Sequence, residues 1–217
     1  MRRIVLAVLL TAIVTVMVYS QNGVIREFTG TVELKYAGSS SFVPATVGAT
    51  VAPNTIVSTG FRSNAVIVIG SSVIAVSPLT RLTLTEIQRV ENSQNVNMNL
   101  QAGRVRVEVN PPAGTRSNLT IQTPSSTASV RGTTFEMDTN NIIVNEGRVM
   151  VNGTGGIAVM VDGGNSTNST PSGIPVNPFD IAVSNLTPSA PVGSVPVTGS
   201  APRSNEIGFT LIPDWQE

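Results

Sequence analysis

The chain of 217 residues has no cysteine and no histidine. Disulfides, thiolate zinc sites and iron–sulfur clusters are thereby excluded, and so is every mechanism built on a His base or a Cys nucleophile. Lys35 is the only lysine, and it has no Ser three residues before it, so a Ser-x-x-Lys nucleophile is absent. Charged residues make up 12% of the chain, about half the usual share. The 13 basic and 13 acidic residues balance, and the arginines are scattered. No basic stripe exists to neutralise phosphates, which argues against nucleic-acid binding. Aromatic residues are scarce at 4%, yet 41% of the chain is hydrophobic. A core must then be made of Val, Ile and Leu, the side chains that favour strands.

Met1, Arg2 and Arg3 followed by the apolar run Ile4 to Val18 have the form of a secretory signal peptide, residues 1–20, with Val18 and Ser20 at the cleavage positions. The run is short for a membrane span, so no stable span is expected after cleavage. The mature chain would keep 11 basic residues against 13 acidic, a net −2. The expected location is outside the cytoplasm. The periplasm is the first choice, and the cell surface or the medium the alternative.

Residues 24–162 read as strand after strand. Val105, Val107 and Val109 alternate with Arg104, Arg106 and Glu108, and Val96, Met98 and Leu100 alternate with asparagines and Gln101. Period two marks a half-buried strand. Ala65 to Ile69 and Val73 to Val76 are almost wholly apolar and suit strands buried on both faces. Gly and Asn pairs punctuate the runs. The expected fold is all-β: an antiparallel-rich β-sandwich or β-roll, with a short β-helical stack as the alternative. The stack is suggested by a weak repeat, in which Leu100–Val107 and Val144–Val151 share a Gly-Arg-Val step at Gly103 and Gly147. After Asp162, Gly, Ser, Thr, Asn and Pro dominate. Residues 163–205 are expected to be a flexible, low-complexity tail. Residues 206–217 form a short apolar terminal segment with alternating Ile207, Phe209 and Leu211 and the only tryptophan, Trp215.

The order of motifs resembles the FecR domain across about residues 28 to 152. It runs Gly30-Thr31-Val32, Val47-Gly48, Ile56–Thr59, Ala65–Val68, Ile74–Leu84 and Leu100–Val105. It continues with Thr123-Pro124, then Val130-Arg131-Gly132-Thr133 with Phe135, and ends at Glu146-Gly147. The resemblance implies an all-β envelope domain. Members named for iron-citrate regulation sense an outer-membrane transporter and control a sigma factor. Here three residues precede the apolar run, so a cytoplasmic anti-sigma region is not expected.

The motif residues Thr123, Pro124, Val130, Arg131, Gly132, Thr133, Phe135, Glu146 and Gly147 are read as structural. Gly132 would permit positive φ at a corner, with Arg131 half-buried and seeking Glu136 or Glu146. Partner contacts are expected at Arg104 and Arg106, with Arg148 on an equivalent strand nearby, and at Trp215. Glu136 and Asp138 share a strand face and are the nearest thing to a catalytic carboxylate pair; both are read as exposed charges, with no enzyme activity expected. No cofactor or metal site is expected, since Asp162-Gly163-Gly164-Asn165 lacks the carboxylates of a calcium loop. The function expected is an envelope protein-interaction or sensing module whose partner is an envelope protein or surface polymer. The alternative is a structural or adhesive surface protein with the tail as spacer.

Overall fold

A computed structural model describes residues 22–170 and 172–186. The segment 1–20 read as a signal peptide, the terminal segment 206–217 and Trp215 lie outside them. Two sheets face each other. The first has eight strands in the spatial order β17-β14-β13-β10-β7-β6-β1-β4. In chain order these are β1 (Gly23–Thr29), β4 (Thr50–Val51), β6 (Asn64–Ile69), β7 (Ser72–Val76), β10 (Arg104–Val109), β13 (Thr134–Asp138), β14 (Asn141–Glu146) and β17 (Ser166–Asn168). The second has nine, in the order β16-β15-β12-β11-β9-β8-β5-β2-β3. These are β2 (Val32–Lys35), β3 (Val43–Pro44), β5 (Thr55–Thr59), β8 (Arg81–Val90), β9 (Ser93–Ala102), β11 (Arg116–Gln122), β12 (Ser126–Arg131), β15 (Arg148–Gly153) and β16 (Ala158–Asp162). The all-β sandwich read from the sequence is what forms.

The chain zigzags between the layers. Apart from the excursion from β3 through β4 to β5, the crossings up to β10 are at Gly30-Thr31, at Gly60–Ser63, at Ser77–Thr80 and at Gly103, all at one end of the sandwich. These corners are stitched together, with Gly60 N–H donating to Thr31 O at 2.9 Å, Thr59 N–H to Thr80 O at 3.0 Å, and Ser77 N–H to Arg104 O at 3.0 Å. After β10 the chain crosses back at the other end through residues 110–115. One full turn, β9 to β10 to β11, is therefore solenoidal, and β11 runs parallel to β9 in register from Arg116↔Ser93 to Gln122↔Asn99. All other strand pairs are antiparallel. The sandwich and the β-helical stack thus meet in one molecule: a single helical turn inside a sandwich. That turn moves later crossings, at Gly132-Thr133 and at Gly147, to the opposite end. Gly103 and Gly147, the glycines of the weak repeat, have the same φ of 87° and both mark crossings.

Alternation delivers the core. Ile25, Leu34, Val57, Ile67, Ile74, Leu82, Leu100, Val107, Ile121, Phe135 and Val149 are among the buried inward residues. β6 and β7 depart from the expectation of two buried faces: Val66, Val68, Val73 and Ala75 are only half-buried and point away from the core. A two-layer fold leaves the outer face of its central strands to water, and here Arg26 and Arg106 line the same shallow groove as Val66, Val73 and Ala75.

The part of the expected tail that lies within the described residues holds regular structure. Ser166–Asn168 adds β17 to β14, and Thr167 Oγ1 donates to Val176 O at 2.6 Å. Pro178–Leu186 then forms a helix, α1. Its start has sound local chemistry: Asn177 Oδ1 accepts the Phe179 N–H at 3.0 Å, Pro178 occupies the first turn, and Asp180 lies in that turn. Among the described residues no helix is long and apolar enough to cross a membrane.

Candidate functional site

The family-motif residues gather at corners and turns. Thr123 is buried, and its Oγ1 accepts the Ser126 N–H at 3.0 Å while its own N–H reaches Ser126 O at 2.8 Å, which closes the loop between β11 and β12. Pro124 is exposed at the tip of that loop. Val130 and Phe135 are buried in the core, Phe135 completely. Gly132 has a φ of 63°, and Thr133, also buried, donates from Oγ1 to Arg148 O at 3.2 Å. Gly147 packs onto this corner, where a Cβ would stand 2.9 Å from Thr133 Oγ1 and 3.0 Å from Gly132 O. Glu146 is exposed beside it. Arg131 departs from expectation. It is exposed, not half-buried, and forms an ion pair with neither Glu136 nor Glu146, because it ends β12 on the outward face of the second sheet while β13 and β14 belong to the first.

The outward face of the first sheet carries two cross-strand ion pairs. Arg104 is opposite Asp138 and Arg106 opposite Glu136, each with a nitrogen 3.1 Å from a carboxylate oxygen. The carboxylates read as a pair on one face are thus each matched to an arginine. Arg148 is not part of this surface. It belongs to β15 in the other sheet and pairs with Asp162 across β15 and β16. The two layers put it on the opposite side of the molecule.

Asp138 does more than pair. Burial pushes its carboxyl up. The backbone amides of Asn140 and Asn141, the Asn141 side chain and Arg104 outweigh that and hold it below its ordinary 3.8. Oδ1 accepts the two amides at 2.9 and 2.8 Å and so pins the turn between β13 and β14. A depressed folded-state value means a contribution that is present above the unfolded value and lost as pH falls through the folded one. Asp138→Asn is expected to cost about 1–2 kcal/mol at neutral pH. The gap from the parent should close below about pH 4. Urea melts of both proteins from pH 7 down to pH 2.5 check this.

The remaining outward surface lies at the free edge of the second sheet. Met150 and Met160 sit side by side on β15 and β16, 42% and 48% exposed, and Ile157, just before β16, is 48% exposed. With Arg131, Arg148 and Thr120 the two methionines line an open groove of about 360 Å³. Among the described residues β16 pairs only with β15. The other edges are blunted: β3 and β4 have two residues each, β3 containing Pro44, while β17 has three and α1 packs beside it. The sequence held a signal for this groove. Ala158-Val-Met-Val-Asp162 and Arg148-Val-Met-Val place apolar residues on both faces, unlike the strict alternation of β9 and β10.

The family model described as FecR protein matches residues 55–151, from β5 into β15, and leaves β1 to β4 before the match. No curated protein matches the chain. Among solved structures, one from Parabacteroides distasonis ATCC 8503, described as a "putative anti-sigma factor", aligns with 12% identity over 60% of this chain and 64% of its own, at a TM-score of 0.46. A second crystal structure with the same description aligns with 12% identity over 58% and 62%, also at 0.46. The alignment thus spans under two thirds of those chains. Over residues 55–151, then, the chain is similar to the FecR family.

Proposed function

We propose that the chain is an exported, non-catalytic FecR-domain module that binds another envelope protein at the β15–β16 edge. One observation carries the choice of surface. Among the described residues, β16 is the longest edge strand without a cover, and it is flanked by Met150, Met160 and Ile157. An open edge supplies backbone donors and acceptors to an incoming strand, and adaptable methionine side chains suit a partner surface. Arg131, with no ion pair among the described residues, adds a charge at the rim. Export is supported by the signal-peptide pattern of residues 1–20. The absence of His and Cys and the arginine-matched carboxylates support a non-catalytic role.

A photoreactive residue at position 160, introduced in living cells, should crosslink a discrete envelope protein that mass spectrometry identifies. The same residue at position 61, an exposed Phe on a loop remote in sequence from this edge, serves as control. Met160→Asp should abolish capture of that protein. A crosslinking pattern at position 160 no different from that at 61 would remove the edge from the proposal.

A further inference from the structure

Four neighbouring strands break their own pattern at one end of the sandwich. The inward residues of β7 are Ser72, Ile74 and Val76; those of β9 are Gln94, Val96, Met98 and Leu100; those of β11 are Ser117, Leu119 and Ile121. In β8, Ile87 and Arg89 share a face with their partners Val96 and Gln94. β7, β9 and β11 are thus apolar inside except at the position nearest this end, where Ser72, Gln94 and Ser117 are buried, and the exposed Arg89 lies opposite Gln94. Ser72, Gln94 and Ser117 are all at least nine-tenths buried. Ser72 and Ser117 stand hydroxyl to hydroxyl at 3.5 Å, and Gln94 Nε2 donates to Ile69 O at 3.3 Å. A sandwich that needed only stability would fill these places with aliphatic side chains, because buried polar groups bring little net gain.

Over Gln94 the solenoidal turn opens a cleft of about 210 Å³ between the β6–β7 hairpin, the β8–β9 hairpin and the 110–115 loop. Its rims are bonded together: Asn110 N–H reaches Ser71 O at 3.2 Å and Arg116 N–H reaches Asn92 O at 2.7 Å. Two charged residues line it, Arg89 and Arg116, and neither has an ion pair among the described residues. Glu91, at the tip of the same hairpin, lines the adjoining groove and not this cleft. Gly70 secures the floor. With a φ of 57° it forms the β6–β7 turn, and a Cβ there would fall on the Gln94 amide, 2.7 Å from its Cδ.

We propose that this cleft is a binding site for a small oxyanion, a carboxylate or a phosphate, held by the guanidinium groups of Arg89 and Arg116 and oriented by the amide of Gln94. Guanidinium forks match the planar oxygen pairs of such groups. The volume lies below the range of drug-sized ligand pockets and suits a small anion or the charged end of a longer molecule. The site is separate from the β15–β16 edge, so the two stand or fall independently.

The test titrates the isotope-labelled full chain with malonate and, separately, with inorganic phosphate. Ionic strength is held constant with chloride, and the Gln94 side-chain amide and the Gly70 backbone amide are followed by NMR. Saturable shifts are expected with at least one anion at millimolar concentrations or below. Arg89→Gln and Arg116→Gln, both at exposed positions, should each weaken binding about tenfold while leaving the melting temperature unchanged. Saturation by malonate alone assigns a carboxylate, by phosphate alone a phosphate, and by both a general oxyanion site. Shifts that stay linear with both anions, or saturable shifts that persist in the double arginine variant, overturn the proposal.

Discussion

Gly103→Ala should unfold this domain far more readily than Gly132→Ala, although both glycines have positive φ. At Gly132 the φ is 63° and the nearest atom to a new Cβ is Pro111 Cδ at 3.9 Å, so the cost is conformational alone. A left-handed residue with a Cβ costs about 1–2 kcal/mol. At Gly103 the φ is 87°, and the Cβ would collide with Thr80 Oγ1 and stand 2.5 Å from Thr80 Cα. Backbone cannot yield cheaply there, because Thr80 ties three strands together. Its Oγ1 accepts the Arg104 N–H at 3.0 Å, and its own N–H donates to Thr59 Oγ1 at 2.9 Å. Adding the loss of buried hydrogen bonds at about 1–2 kcal/mol each brings Gly103→Ala to roughly 3–5 kcal/mol. Thermal melts of the two variants beside the parent decide the matter. Equal losses would mean that the Thr80 corner is not the fixed point described.

Phe135→Ala should cost about 3–5 kcal/mol, the range for removing a fully buried aromatic side chain. Phe135 is wholly buried and is the bulkiest side chain of the core. It sits on β13, opposite Val107 on one side and Val144 on the other. The other aromatic packed against the core, Phe28, is on β1, four strands away in the sheet, and cannot swing in to fill the void. The expected fall in melting temperature is about 10 °C for a domain of this size. Phe135→Leu should recover more than half of it, since it leaves a smaller cavity. A variant with Ala at 135 that melts like the parent would place the residue outside the cooperative core.

These two outcomes separate what local chemistry specifies from what packing specifies. The Val-Arg-Gly-Thr stretch announced a turn needing a glycine, and Gly132 has the positive φ that such a turn requires. The same stretch gave no sign that Arg131 would be exposed, because exposure depends on which layer covers the end of β12. Arg104, Arg106 and Arg148 show the same division. Their alternation with valines put each on an outward strand face. Whether they shared a surface depended on which sheet received each strand, and the odd number of crossings between β10 and β15 separated them. In the tail, Asn177-Pro178-Phe179-Asp180 carried a helix start inside a composition that pointed to disorder, and an average over forty residues hid it.

The sequence by itself determined the all-β class, the inward and outward faces of most strands and the corner glycines, and its ordered motifs pointed to the FecR domain. Period-two alternation and positive φ are local properties, set within a few residues and independent of what packs above them. Only the tertiary structure decided the pairing order, the single parallel pair at β9 and β11, the open edge at β16 and the polar cleft over Gln94. Each of these depends on residues from strands or hairpins distant in the chain. A lone Gln or Arg in an alternating strand looks like one more polar position until three other strands bring their own exceptions to the same place.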